Sequence, residues 1–260
     1  MTLRRCRRAA ALAWALAVCM IRLGLVRLGG PLSPERRALW LQSASRGVLS
    51  SLGIQYSVHG TPPSDGLVVS NHLSYLDILI HSSVMPCAFV SKTEINKWPY
   101  FGVAARAGGT LFIDRSSRAS VAAVAAEMTR RLKLPIPVLL FPEGTSTDGS
   151  QLLPFHTSLF EPAVKAGALV TPAAVRYVIQ GGVPESELCW YGNAPFLPHL
   201  WKALGTPGFS ARVAFGTPAA YADRREASRS ARAQVSDMRG IIAARVEGPI
   251  KSQLVPKSRP

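Results

Sequence analysis

Aromatic residues make up only 8% of the 260 residues, and no basic stretch interleaves them as a base-stacking platform requires. No segment has zinc-finger spacing or the signature of an RNA-binding module, so nucleic acid is not the partner expected. Acidic residues are also scarce, 15 Asp plus Glu against 30 Lys plus Arg, for a net charge of +15. A surface of that sign seeks polyanions, and with nucleic acid set aside an anionic lipid leaflet is the better match. Cysteines are few and scattered: Cys6, Cys19, Cys87 and Cys189 form no C-x-x-C pair. That argues against a zinc site and a disulfide framework and fits a reducing compartment. There is no G-x-S-x-G elbow, no internal repeat and no low-complexity linker. What is abundant is apolar residue, 48%, enough for a sizeable core in one large domain.

The chain also lacks an uninterrupted apolar run long enough to cross a bilayer upright. Arg4, Arg5, Arg7 and Arg8 precede an apolar run from Ala9 to Ile21; Arg22 interrupts it and Arg27 ends it. Positive charge on both flanks gives no clear orientation for a spanning helix. The favoured reading is a helix lying in the membrane interface, or dipping into one leaflet, with arginines on the headgroups. A single span and a cleaved signal remain the alternatives, the latter without a convincing small-residue cleavage site. Residues 1–50 are therefore read as an N-terminal membrane-associated helical segment, 51–250 as the main domain and 251–260 as a loose tail.

Ser33-Pro34-Glu35 has the chemistry of a helix start: a capping hydroxyl, a proline at the first helical position and an acid in the first turn. That helix should run to about Ser50. Short apolar strands are expected at 53–59, 67–70, 88–91, 110–113, 136–141, 169–178 and 213–216. Helices are expected at 74–84, 117–132, 160–166 and 225–246. Val121, Val124, Ala125, Met128 and Leu132 give the second of these its apolar face. Alternation of buried strands with helices makes the class α/β, with a largely parallel central sheet flanked by helices.

Four segments at expected strand ends carry candidate chemistry. Asn71-His72-Leu73-Ser74-Tyr75-Leu76-Asp77 lies between a strand and a helix, where α/β proteins build sites. Histidine can take a proton near neutral pH, and a carboxylate can fix its tautomer. Five positions on one continuous helix would separate His72 from Asp77 by about 140°, so the pair needs a turn between His72 and the helix. The competing reading is Ser74-x-x-Asp77 as a capping box. Gly109 to Arg115 delivers an arginine to a sheet edge, as a phosphate ligand or as a surface residue paired with Asp114. In Phe141-Pro142-Glu143-Gly144-Thr145-Ser146, Gly144 admits close approach, Glu143 can bind a hydroxyl, and Thr145 and Ser146 can donate to an anion. The alternative there is a capped turn. Val170-Thr171-Pro172-Ala173-Ala174-Val175 reads as a core strand with an edge proline.

In order and spacing, these four segments resemble the blocks of the phospholipid and glycerol acyltransferase family, over roughly residues 50–220. The resemblance implies His72 as base with Asp77 as its partner. It implies Arg115 on an acceptor phosphate, Glu143 and Gly144 on the acceptor, and Lys92 and Thr145 nearby. It implies transfer from acyl-CoA or acyl-carrier protein to a lysolipid hydroxyl, without metal or cofactor. The first choice of acceptor is 1-acyl-glycerol-3-phosphate, and lyso-ornithine lipid is the alternative. It places the protein at the inner or plasma membrane with the site facing the cytoplasm. Ser146 stands where many relatives carry arginine, and Ala173-Ala174 replaces bulkier residues. The rivals are a serine hydrolase, with Ser74 near His72 and Asp77, and a non-enzymatic basic binding protein.

Overall fold

A computed structural model describes residues 2–244, so the expected tail at 251–260 and the end of the last helix lie outside the described residues. The chain begins with two helices, α1 (Thr2–Leu28) and α2 (Pro34–Ser51). There follow β1 (Gln55–His59), β2 (Leu67–Ser70), α3 (Leu76–Val84), β3 (Ala88–Lys92), α4 (Thr93–Asn96) and α5 (Phe101–Ala107). Next come β4 (Leu111–Ile113), α6 (Arg118–Arg131), β5 (Val138–Leu140), α7 (Glu161–Ala166) and β6 (Val170–Ile179). The described part closes with α8 (Phe196–Gly205), β7 (Phe209–Phe215) and α9 (Arg224–Ala244).

The seven strands form one sheet in the order β1-β7-β6-β2-β5-β3-β4. All neighbours are parallel except β6 and β7, so β1 and β7 run against the other five. Side chains alternate across it. Val68, Leu139 and Val175 enter the core beneath α1, α2, α3 and α8. Leu67, Val69, Val138, Leu140 and Ala174 enter the opposite core, beneath α6, α7 and α9. Strands buried on both faces account for the continuous apolar runs at β2 and β5.

Two helix starts follow the expected chemistry: the Ser33 side chain accepts from the Arg36 amide, and the Ser117 side chain accepts from the Ser120 amide. On α6 only Met128 is fully buried within the helix, and Val121 stays 39% exposed, so the apolar face is narrower than its spacing implied. Sequence periodicity missed α4, α5 and α8. Pro198 falls in the first turn of α8, where its missing amide hydrogen costs no intrahelical bond. β7 begins four residues earlier than expected, because Ser210 and Arg212 break its apolar run; Arg212 is buried and donates to the Ile242 carbonyl.

Helix α1 is not detached. Ala15, Cys19 and Leu23 are buried, against α2 on one side. Its Arg4 and Arg8 side chains donate to the Thr206 carbonyl, and Arg8 also to that of Leu204, at the C-terminal end of α8. The helix is nevertheless mostly exposed: Leu3, Trp14, Ile21, Leu25 and Leu28 face outward. By length and composition it is sufficient to cross a membrane.

Candidate active site

Strands β2, β5, β3 and β4 are consecutive neighbours and parallel, so their C-terminal ends open on one edge of the sheet. His72, Glu143, Lys92 and Arg115 leave from those four ends. Topology therefore gathers residues that lie up to 71 positions apart in the chain.

Asn71 follows β2 directly and pins the loop. Its side chain donates to the Val175 carbonyl at 3.1 Å and accepts from the Val175 amide at 2.9 Å, as a neighbouring strand's peptide would. The helix then starts only at Leu76, leaving a turn between His72 and Asp77. With that turn, His72 Nδ1 meets Asp77 Oδ2 at 2.8 Å. The same oxygen accepts from the Leu73 amide at 2.7 Å and the Ser74 amide at 3.0 Å. The capping reading and the dyad reading therefore describe one carboxylate. Ser74 contributes little as a cap, since its hydroxyl accepts only a 3.4 Å contact from Leu76. Asp77 is wholly buried, and its other oxygen accepts from the Tyr177 hydroxyl.

The His72 ring stacks on Phe141, with centroids 4.0 Å apart and planes 12° apart. Phe141 thus fixes the ring plane while Asp77 fixes its rotation and holds the hydrogen on Nδ1. That leaves the Nε2 lone pair free to accept a proton. The side chain keeps 21% of its surface accessible. From the backbone side, the His72 amide donates to Glu143 at 2.8 Å, and the His72 carbonyl accepts from the Thr147 amide.

The other Glu143 oxygen accepts from the Leu153 amide at 2.9 Å. Expected to reach an acceptor hydroxyl, the buried Glu143 carboxylate instead accepts from the backbone of its own loop and of the loop after β2. Burial pushes its carboxyl above the usual range, against the pull of the Leu153 and His72 amides. Gly144 sits at φ +77°, where a β-carbon would come within 2.9 Å of His156 Nε2 and 3.2 Å of an Arg115 nitrogen. Arg115 donates to the Gly144 carbonyl at 2.6 Å, so it lies beside the third segment. It does not pair with Asp114, whose carboxylate holds the Ser116 amide and hydroxyl instead. Lys92 and Thr145 are exposed on the same edge. Ser146 turns inward and donates to the Trp190 carbonyl.

Sequence reasoning missed three groups. Tyr177 is separated from Asp77 by 100 positions and reads as one more strand residue. Arg239 on α9 donates to the carbonyls of Val175 and Gly149 and pairs with Glu185 at 2.8 Å, bracing the site from behind. His81, inside α3, is wholly buried with Nε2 3.0 Å from the Ser70 hydroxyl. Burial holds its pKa down to about 4. Among the described residues no three His, Cys, Asp or Glu side chains converge to hold a metal ion.

A family model described as Acyltransferase matches residues 55–176. The chain is 39% identical to the lyso-ornithine lipid O-acyltransferase of Rhodobacter capsulatus over 66% of this chain and 64% of that one. It is 35% identical to the 1-acyl-sn-glycerol-3-phosphate acyltransferase of Neisseria meningitidis, over 70% of this chain and 72% of that one. The lyso-ornithine lipid O-acyltransferase of Pseudomonas aeruginosa is 32% identical, with 80% of each chain covered. In fold, the crystal structure of the 1-acyl-sn-glycerophosphate acyltransferase PlsC from Thermotoga maritima matches with a TM-score of 0.68 at 19% identity. That match covers 94% of this chain and all of that one.

Proposed function

The chain belongs to the acyltransferase family, and from that premise we propose that it esterifies a lysolipid hydroxyl using an acyl thioester, with His72 as general base. The observation that carries the reading is the buried Asp77 carboxylate on His72 Nδ1, which leaves the other ring nitrogen free on the sheet edge from which Arg115 and Lys92 also leave. In the proposed reaction His72 Nε2 takes the acceptor's hydroxyl proton as the oxygen attacks the thioester carbonyl. The C–O bond forms, the tetrahedral oxyanion collapses, and the C–S bond breaks. The departing thiolate recovers the proton from the imidazolium, which Asp77 stabilises in the interval. The donor is acyl-CoA or acyl-carrier protein, and no residue is assigned to its recognition.

Arg115 uses one nitrogen on the Gly144 carbonyl and keeps further N–H donors for an anion. With Lys92 and Thr145 on the same edge, it suits an acceptor with an anionic headgroup, first 1-acyl-glycerol-3-phosphate. Lyso-ornithine lipid, whose headgroup anion is a carboxylate, is the second reading. It is favoured by the inward turn of Ser146, which adds no charge where many relatives carry arginine. Membrane association through the exposed apolar face of α1 would bring such an acceptor to the site, on the cytoplasmic side where acyl thioesters are found.

Purified protein in vesicles, assayed for thiol release with each acceptor in turn, tests the proposal. His72→Ala should abolish transfer while the protein stays folded. Arg115→Ala should lower acceptor efficiency about ten- to a hundredfold with thioester use unchanged, and Arg115→Lys should recover part of it. Transfer surviving in folded His72→Ala would sink the mechanism. Unchanged use of both acceptors by Arg115→Ala would sink the anion site.

A further inference from the structure

We propose that Tyr177 is a positioning residue for the base: its hydroxyl, on Asp77 Oδ1, sets the charge and orientation that the carboxylate presents to His72. This rests on the reading of His72 as general base. The two carboxylate oxygens have divided duties. Oδ2 serves the His72 ring and the amides of Leu73 and Ser74, and Oδ1 serves Tyr177. Asp77 is 0% exposed and Tyr177 2%, so water cannot stand in for either partner. Removing the hydroxyl leaves Oδ1 buried without the donor it has here, and the carboxylate loses the contact opposite its bond to His72.

The residue is itself held at its backbone and at its ring. The Tyr177 amide donates to Glu185 at 2.7 Å, and Glu185 pairs with Arg239 on α9. The ring meets Phe209 of β7 edge-on, with centroids 5.9 Å apart. The charged and titratable groups acting on the dyad are His81 on α3, Glu143 after β5 and Cys189 between β6 and α8, while Glu185 acts on Tyr177 and Cys189, and Arg239 on α9 acts on Glu143 and Cys189. Burial and the negative charge of Asp77 keep the phenol protonated, burial raises the Cys189 thiol, and burial keeps His81 neutral near pH 7.

A phenol donating to a carboxylate draws off part of its negative charge. Without it, Asp77 presents more charge to His72, the imidazolium is better stabilised, and the ring gives up its proton at higher pH. The acidic limb of kcat/KM reports that ionisation in the free enzyme. In Tyr177→Phe the limb should move upward by about half a unit or more. kcat should fall about tenfold with both KM values unchanged, because the orientation of the base is felt in the transition state. A purely structural tyrosine would change stability and leave the limb in place.

Replacing residue 177 alone with 3-fluorotyrosine keeps the ring and strengthens the donor, so the limb should move downward. It decides the matter even where Tyr177→Phe does not fold. Limbs at the wild-type position in every folded variant overturn the proposal. His72→Ala run alongside separates the two failures. Inactive His72→Ala with unmoved limbs overturns the role of Tyr177 alone, and active His72→Ala overturns the base with it.

Discussion

Acid should weaken this fold chiefly through the imidazole of His81, with His199, also lowered by burial, adding in the same direction. His81 is wholly buried, and its Nδ1 has no hydrogen-bond partner among the described residues. Burial lowers its pKa to about 4, offset by the attraction of Asp77 and reinforced by the charge of His72. In the unfolded chain the ring returns to about 6.5. The folded value is the lower, so between those limits the unfolded chain binds the extra proton. The stability is present above pH 6.5 and is lost as pH falls through about 4. Each pKa unit corresponds to about 1.36 kcal/mol, so the loss comes to about 3 kcal/mol. Other groups titrate nearby. Glu143, raised by burial, works in the opposite direction, and Glu127, lowered first by its bond to Arg130, in the same one. Comparison with His81→Gln, which can keep a bond to Ser70, cancels those contributions. Urea unfolding in detergent at pH 4 to 7 should show wild type losing about 3 kcal/mol relative to the variant towards acid. A stability gap that does not change with pH would refute the reasoning.

Gly144→Ala should raise the acceptor KM more than it lowers kcat. The left-handed backbone costs about 1 kcal/mol for a β-carbon, and that carbon must push aside His156 and Arg115. Steady-state kinetics with both substrates varied checks it, and an unchanged acceptor KM would mean that Arg115 does not depend on this loop. Leu197→Ser with Trp201→Ser should weaken binding to anionic vesicles about tenfold or more, since both side chains lie exposed on α8 beside α1. Equal partitioning of variant and wild type in a flotation assay would remove α8 from the membrane face.

Much of the site was legible because its residues sit where buried strands stop. The runs at β2 and β5 are short, apolar and bounded by turn residues, which reads as a two-sided strand whatever the neighbours are. Spacing left the His72–Asp77 pairing open beside a capping reading, and the family resemblance implied it; the turn before Leu76 brings the two together. Tyr177 was not legible, because its role depends on β6 lying beside β2, and a tyrosine in a strand carries no mark of what its hydroxyl meets. Glu143 was legible as a site residue but not in its direction, since its partners are the amides of His72 and Leu153. Backbone donors leave no trace in the amino-acid pattern. Helices α5 and α8 were lost for a local reason: both are short and lie close to prolines, at Pro99 and within the first turn of α8.

The bonds from Arg4 and Arg8 to the end of α8 span 196 to 202 positions. A chain made from its N-terminus therefore exposes α1 long before α8 exists to receive it. Through most of synthesis the face bearing Leu12 and Leu16, later opposed by Leu200 and Leu204 across an open apolar groove of about 430 Å³, has no protein to rest on. Domains generally fold as units during synthesis. Here an element made long before α8 is completed only when α8 arrives, so whatever shelters its apolar face from water in the interval is in place before the catalytic residues are assembled.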